Sequence, residues 1–297
     1  MKRFYFIFGL FLIVSILSVN VFGQIQPAEP AAPVPKAVAI PRPTPEEVQL
    51  AERSLAKFLK KADRSVKAIN DKYPGLIAVR VPPANTATVP NLAYFFQKKH
   101  ETNLEVAKQG DIDILFMGDS ITDFWRNPEG NYAGKPVLDK YFANLKVANF
   151  GIAGDTTQGV LYRLQHGEGQ GFSTKAVMLM IGTNNIGPNN APEIAEGIGA
   201  IVLELQKDFP KAKILLLGIF PRSAANDPIR ATIAEINNII SKLNDGDRVQ
   251  YLDIGQKFLD SGGNISKDIM SDSLHPTTKG YEIWAEAVKE PLANLMK

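Results

Sequence analysis

Ser120 closes an apolar run, Asp113-Ile114-Leu115-Phe116-Met117-Gly118-Asp119-Ser120-Ile121-Thr122. A buried parallel strand that stops at a tight turn has this pattern. The turn would present one hydroxyl at the carboxyl end of the strand, where open α/β sheets place their ligands. A serine becomes a useful nucleophile only with a base beside it, and the chain offers three histidines. His100 lies in a charged helical stretch, Gln97-Lys98-Lys99-His100-Glu101-Thr102, and reads as a solvated surface residue. His166 lies in Leu164-Gln165-His166-Gly167-Glu168-Gly169 and reads as a cation at a helix end. His275 follows Asp272 by three residues in Ser271-Asp272-Ser273-Leu274-His275-Pro276, a loop because Pro276 breaks any helix there. A carboxylate at that spacing can hold the imidazole tautomer and stabilise its charged form.

Two further blocks belong with this pair. Asn149-Phe150-Gly151-Ile152-Ala153-Gly154-Asp155-Thr156-Thr157 follows the strand-like Leu145-Lys146-Val147-Ala148. Gly182-Thr183-Asn184-Asn185 follows Ala176-Val177-Met178-Leu179-Met180-Ile181. Successive strand ends thus carry a Ser, a Gly with a free N–H and an Asn amide. These are the parts of an oxyanion hole: donors aimed at negative charge developing on an acyl oxygen. Any one alone is an ordinary turn residue; together, in this order, they point to acyl transfer. Asp119 reads as a residue that stabilises the turn beside Ser120.

From about Asp111 to the C-terminus the chain resembles the SGNH hydrolase superfamily, the GDSL esterases. The resemblance implies that the four name-giving residues fall on Ser120, Gly154, Asn184 and His275, with Asp272 as triad partner. It is greatest to the branch holding platelet-activating-factor acetylhydrolase catalytic subunits and bacterial carbohydrate O-acetylesterases. Pro221-Arg222 after the fourth strand also matches, and the first block reads Gly-Asp-Ser-Ile where the family name has Leu. The expected activity is a cofactor-free serine esterase acting on short acyl esters, chiefly acetyl groups on a small-molecule or polysaccharide carbohydrate. Ser120 would be the nucleophile, His275 the base and Asp272 its orienter, with Ser120, Gly154 and Asn184 forming the oxyanion hole. A lysophospholipase or thioesterase acting on lipid acyl groups is the alternative, and a non-catalytic glycan-binding protein on the same fold is a third reading.

Other chemistries find no support. No Gly-x-Ser-x-Gly elbow of an α/β-hydrolase occurs. Ser54-Leu55-Ala56-Lys57 matches Ser-x-x-Lys without its partner motifs, and no phosphate-cradling glycine loop follows a strand. With no Cys and three scattered His, no metal site is expected.

The elements that must position these residues follow from periodicity. Strands are expected near 112–117, 145–149, 176–181, 212–217 and 249–252, and helices near 157–165, 191–208, 227–243 and 277–296. Such alternation makes right-handed crossovers and a parallel sheet covered on both faces, a three-layer α/β/α sandwich. The family resemblance implies a flavodoxin-like five-strand order, 2-1-3-4-5.

Ahead of this hydrolase domain (111–297), three segments are expected. Residues 1–23 read as a signal peptide: basic Met1-Lys2-Arg3, an apolar run and a cut after Gly23. An uncleaved membrane anchor is the alternative, and otherwise the mature protein is secreted or periplasmic. Residues 24–46 are a proline-rich linker, read as a tether. Residues 47–110 form a helical extension. It opens with a capping box at Thr44-Pro45-Glu46-Glu47, carries apolar residues at helical spacing from Val48 to Ile69, and has a second helix near 92–108. The first stripe would pack on the enzyme domain or form the seam of a homodimer. Removing Lys2 and Arg3 from the 33 basic residues leaves as many bases as the 31 acids, so nothing attracts nucleic acid.

Overall fold

The computed structural model describes residues 29–73 and 75–297, together with an antiparallel pairing of Leu17–Val19 with Ile25–Pro27. Apart from Leu17–Val19, the segment read as a signal peptide lies outside the described residues.

Five parallel strands form the central sheet: β1 (Ile112–Gly118), β2 (Val147–Asn149), β3 (Thr174–Met180), β4 (Lys213–Leu217) and β5 (Val249–Leu252). Their spatial order is β2-β1-β3-β4-β5, the flavodoxin-like order. The central strands β1, β3 and β4 read as nearly continuous apolar runs because both of their faces are covered. Alternate residues nonetheless serve different cores. Leu115, Met117, Val177, Leu179 and Leu216 face one apolar cluster. Ile114, Phe116, Met178, Met180 and Leu215 face another, built around Trp125 and Trp284.

Among the described residues there are nine α-helices. In chain order they are α1 (Pro45–Lys61), α2 (Arg64–Lys72), α3 (Gln97–Ala107), α4 (Ser120–Asp123), α5 (Lys135–Tyr141), α6 (Thr157–Arg163), α7 (Ala191–Asp208), α8 (Ile229–Ile240) and α9 (Thr278–Leu295). Residues of α6, α7 and α8 join the first cluster, and residues of α5 and α9 the second. The result is a three-layer α/β/α sandwich.

The N-terminal segments depart from expectation in two ways. The proline-rich stretch is docked on the enzyme. Ala32 and Val38 are buried, and the Ala32 N–H donates to the Thr88 carbonyl (2.7 Å). The fully buried Glu196 carboxylate on α7 accepts two hydrogen bonds from Arg42 (2.7 Å each), one from the Ile40 N–H (2.7 Å) and one from Asn85 (2.9 Å). An extended, proline-stiffened chain loses little entropy on docking, and the buried carboxylate obtains the partners it needs.

The single apolar period from Val48 to Ile69 is two helices. The Asp63 carboxylate accepts the N–H groups of Ser65 (2.8 Å) and Val66 (3.0 Å) and starts α2. Neither α1 nor α2 has a buried residue, so their apolar stripe does not pack on the enzyme core.

Candidate active site

Gly118 ends β1, and Asp119 turns the chain into α4, so Ser120 becomes the first residue of a four-residue helix. Its N–H is therefore one of the amides a helix start leaves unbonded. The Ser120 Oγ lies 2.9 Å from Nε2 of His275. Nδ1 of His275 lies 2.7 Å from Oδ2 of Asp272. Burial pushes the Asp272 carboxyl upward, but hydrogen bonds from the His275 ring, the His275 N–H, Tyr132 and the Leu274 N–H outweigh it and hold it down to about 2. An ionised carboxylate only accepts, so Nδ1 carries the proton and Nε2 is left to accept from the Ser120 hydroxyl. The geometry can therefore move a proton off Ser120 as its oxygen attacks a carbonyl.

Neighbouring side chains fix this relay. The loop before α9 holds Asp272 and His275, and Thr277 caps α9 by accepting from the Gly280 N–H (3.3 Å). The Ser273 carbonyl accepts from the Ser223 N–H (2.9 Å), which fastens the loop to the segment after β4. The Tyr132 hydroxyl donates to Asp272 Oδ2 (3.0 Å). The rings of Phe124 and Tyr132 stack at 5.7 Å and lie 5.1 and 5.3 Å from the His275 ring. Neither Tyr132 nor Phe124 had a sequence signal: neither lies in a motif, and both are far in the chain from the His275 ring they face.

The loop after β2 carries Gly154 alongside the end of β1, where the Ile152 N–H donates to the Gly118 carbonyl (3.1 Å). It is clamped to α4 and its neighbourhood at several points. The Ala153 N–H donates to Asp123 Oδ2 (3.0 Å). Arg126 pairs with Asp123 and donates to the carbonyls of Asn149 (2.9 Å) and Gly151 (2.6 Å). Only glycine fits at 151, because a Cβ there would stand 2.5 Å from the Asp123 nitrogen. Gly154 has φ +86°, which other residues adopt only at a cost. It is exposed, and among the described residues no group accepts from its N–H.

Asn184 sits in the short turn Thr183–Asn185 after β3. Its Nδ2 donates one hydrogen to the Asp155 carbonyl (2.8 Å). A side-chain amide has two such hydrogens, so the second remains for a ligand. Arg222, of the Pro-Arg pair, donates to the Thr183 carbonyl (3.2 Å) and hydroxyl (3.1 Å) and steadies this turn. Ser120, His275 and Asp272 are thus joined by direct contacts. Gly154 and Asn184 are joined to each other through Asp155.

The other two histidines differ from one another. His166 stacks on Tyr162 at 3.7 Å, and its Nδ1–H donates to the Tyr162 carbonyl (2.7 Å). His100, expected to be solvated, is buried, and its Nδ1–H donates to Glu168 (2.9 Å). Among the described residues no cluster of acids and histidines could hold a metal.

Asp119 does stabilise the turn: one carboxyl oxygen accepts from the Ile121 N–H (3.0 Å). The other oxygen is buried without a partner. Burial pushes this carboxyl up to about 7, against the Ile121 hydrogen bond and with the Asp155 charge adding to the rise. The folded protein therefore keeps a proton that an unfolded aspartate releases near pH 4. The stability held by this protonation is fully present below about pH 4 and is lost as pH rises to about 7. Asp119→Asn keeps an oxygen for the Ile121 N–H and removes the titration. Between pH 4 and 7 the wild type should lose on the order of 4 kcal/mol of stability relative to the variant. Urea unfolding across that range measures the difference; parallel pH profiles would contradict it.

Comparison with known proteins places the chain in a family. The family model described as GDSL-like Lipase/Acylhydrolase matches residues 116–283. Platelet-activating factor acetylhydrolase IB subunit alpha2 from Rattus norvegicus is 34% identical over 221 residues, which span 72% of this chain and 93% of the relative. The alpha1 subunit from Homo sapiens is 32% identical over 198 residues, 66% of this chain and 82% of that relative. A GDSL-like lipase from Bacteroides thetaiotaomicron VPI-5482 shares the fold, with a TM-score of 0.51 at 20% identity over 66% of this chain and 97% of the other. The chain belongs to the GDSL-like lipase/acylhydrolase family, in the SGNH branch of the acetylhydrolase subunits, and is a serine ester hydrolase.

Proposed function

We propose that the protein removes acetyl groups from carbohydrate hydroxyls, with Ser120, His275 and Asp272 as the catalytic triad. His275 Nε2 takes the Ser120 proton as Oγ bonds to the ester carbon, and the carbonyl π electrons move onto its oxygen. The N–H groups of Ser120 and Gly154 and the free Asn184 hydrogen stabilise that oxyanion. The tetrahedral species collapses, the carbon–alkoxy bond breaks, and His275 returns the proton to the departing sugar oxygen. Water then gives its proton to His275 and attacks the acetyl-Ser120 carbonyl. Collapse releases acetic acid and restores the serine. Asp272 stays ionised throughout and stabilises the charged imidazole.

The acetyl part of this reading is supported by the relatives, which are named acetylhydrolases. The carbohydrate part rests on a pair of exposed aromatic rings beside the oxyanion loop. Tyr94 and Phe95 are 65% and 75% exposed. Phe95 packs on Phe96 at 4.4 Å, and a Cβ placed on Gly154 would lie 3.4 Å from the Phe96 ring. The ledge is thus one ring away from an oxyanion donor. Exposed flat aromatic faces beside the site suit the apolar face of a sugar ring.

Replacing both Tyr94 and Phe95 by alanine should raise KM for acetylated xylo-oligosaccharide by about tenfold, the equivalent of 1.4 kcal/mol. It should leave kcat for that substrate, and all turnover of 4-nitrophenyl acetate, near wild type. Steady-state kinetics with these two substrates and a 4-nitrophenyl ester of a long fatty acid test the reading. Preference for the long ester, with the aromatic pair mattering there instead, would make the protein a lipid acyl hydrolase.

A further inference from the structure

A cluster of fully buried charges lies behind the loop that carries Gly154, outside the triad. Arg163, at the end of α6, is fully buried, as are Asp155 and Glu168. Arg163 donates from Nε (3.0 Å) and Nη2 (2.8 Å) to Asp155 Oδ2, and from Nη1 to Glu168 Oε2. The other Glu168 oxygen accepts from His100 (2.9 Å) and Asn103 (3.1 Å), both on α3. Burying three ionic groups is expensive, and hydrophobic residues of the same volume would serve stability as well. Position therefore matters more here than stability. Burial alone would lower the Arg163 pKa, but the two facing carboxylates raise it above its ordinary value, so the guanidinium stays charged.

Asp155 is held at four atoms. Its Oδ2 takes the Arg163 fork, and its Oδ1 accepts from the Thr156 N–H (2.8 Å). Its N–H donates to the Ile152 carbonyl (3.0 Å), and its carbonyl accepts from Asn184 Nδ2 (2.8 Å). It also follows Gly154 directly. One residue thus sets the peptide next to one oxyanion donor and orients the amide that supplies another.

We propose that Arg163 is a positioning residue for the oxyanion hole, aligning Gly154 and Asn184 together through its fork on Asp155. Glu168, His100 and Asn103 hold the fork from behind, which gives α3 of the N-terminal extension a place in the catalytic architecture. The inference rests on the assignment of Gly154 and Asn184 as oxyanion donors.

The test is a double-mutant cycle on the full chain with 4-nitrophenyl acetate, pairing Arg163→Lys with Asn184→Ala. Lysine keeps the charge but loses the fork. Arg163→Lys should lower kcat by about tenfold or more, since small misplacements of catalytic groups are costly, and KM should stay within about twofold. Combined with Asn184→Ala, the loss should be well under the product of the two single losses, because both act on one donor set. Losses that multiply, or normal kcat in a folded variant of lower Tm, would overturn the inference and leave Arg163 a staple between α3 and α6. Normal kcat in Asn184→Ala alone would instead remove the oxyanion assignment and the inference with it. If Arg163→Lys does not fold, Asp155→Asn carries the same cycle with the same two outcomes, since it weakens the fork from the other side.

Discussion

Ser120→Ala should lower kcat by about 10⁶-fold, the scale seen when a serine hydrolase loses its nucleophile. The hydroxyl oxygen is the atom that forms the bond, and it already lies 2.9 Å from His275 Nε2. KM should change little, because ester binding does not depend on the attacking oxygen. The fold should survive. Ser120 is buried at the start of α4, and its side chain has one partner, so removing it costs about 1 kcal/mol. Thermal unfolding and steady-state kinetics on one preparation check both halves. Turnover within tenfold of wild type in the folded variant would exclude Ser120 as nucleophile.

Asn184→Ala should lower kcat by roughly 10²–10³-fold, or about 3–4 kcal/mol of transition-state stabilisation. The bond from Nδ2 to the Asp155 carbonyl fixes the plane of the amide, which aims the second hydrogen before substrate arrives. KM should again be nearly constant, since the neutral carbonyl gains less from this donor than the tetrahedral oxyanion does. The competing reading makes Asn184 only a brace for the Asp155 carbonyl. That reading predicts a stability loss of about 1 kcal/mol with near-normal kcat. Measuring Tm and kcat together separates the two.

The candidate site was legible because buried parallel strands are written as apolar runs. Where such a run stops at Gly118-Asp119-Ser120 or Gly182-Thr183-Asn184, the chain must turn at the carboxyl edge of the sheet. Those stops set residues distant in the chain along one edge of the sheet. Asp272 and His275 were legible for a local reason, their three-residue spacing ahead of a proline.

What escaped was settled by partners distant in sequence. His100 sits in the charged run Gln97-Lys98-Lys99-His100-Glu101, and nothing local says that its ring turns inward to Glu168. Arg42 lies in a stretch that reads as a tether until Glu196 is found buried on α7. Tyr132 has no motif and gains a role only when the loop carrying Asp272 folds over it. For α1 and α2 the period was legible but not the fate of its apolar face, since periodicity shows which residues share a side and not what covers them. The break at Asp63 had a local sign, an aspartate with a following Ser-Val that it caps.

The proposed mechanism requires Ser120 to be the one activated serine. A fluorophosphonate probe, followed by intact-mass measurement and peptide mapping, reads this directly. Wild-type protein should gain a single adduct on Ser120, lose esterase activity in step with it, and show no adduct in Ser120→Ala. An adduct on another serine that abolishes activity, with Ser120 unmodified, would contradict the account.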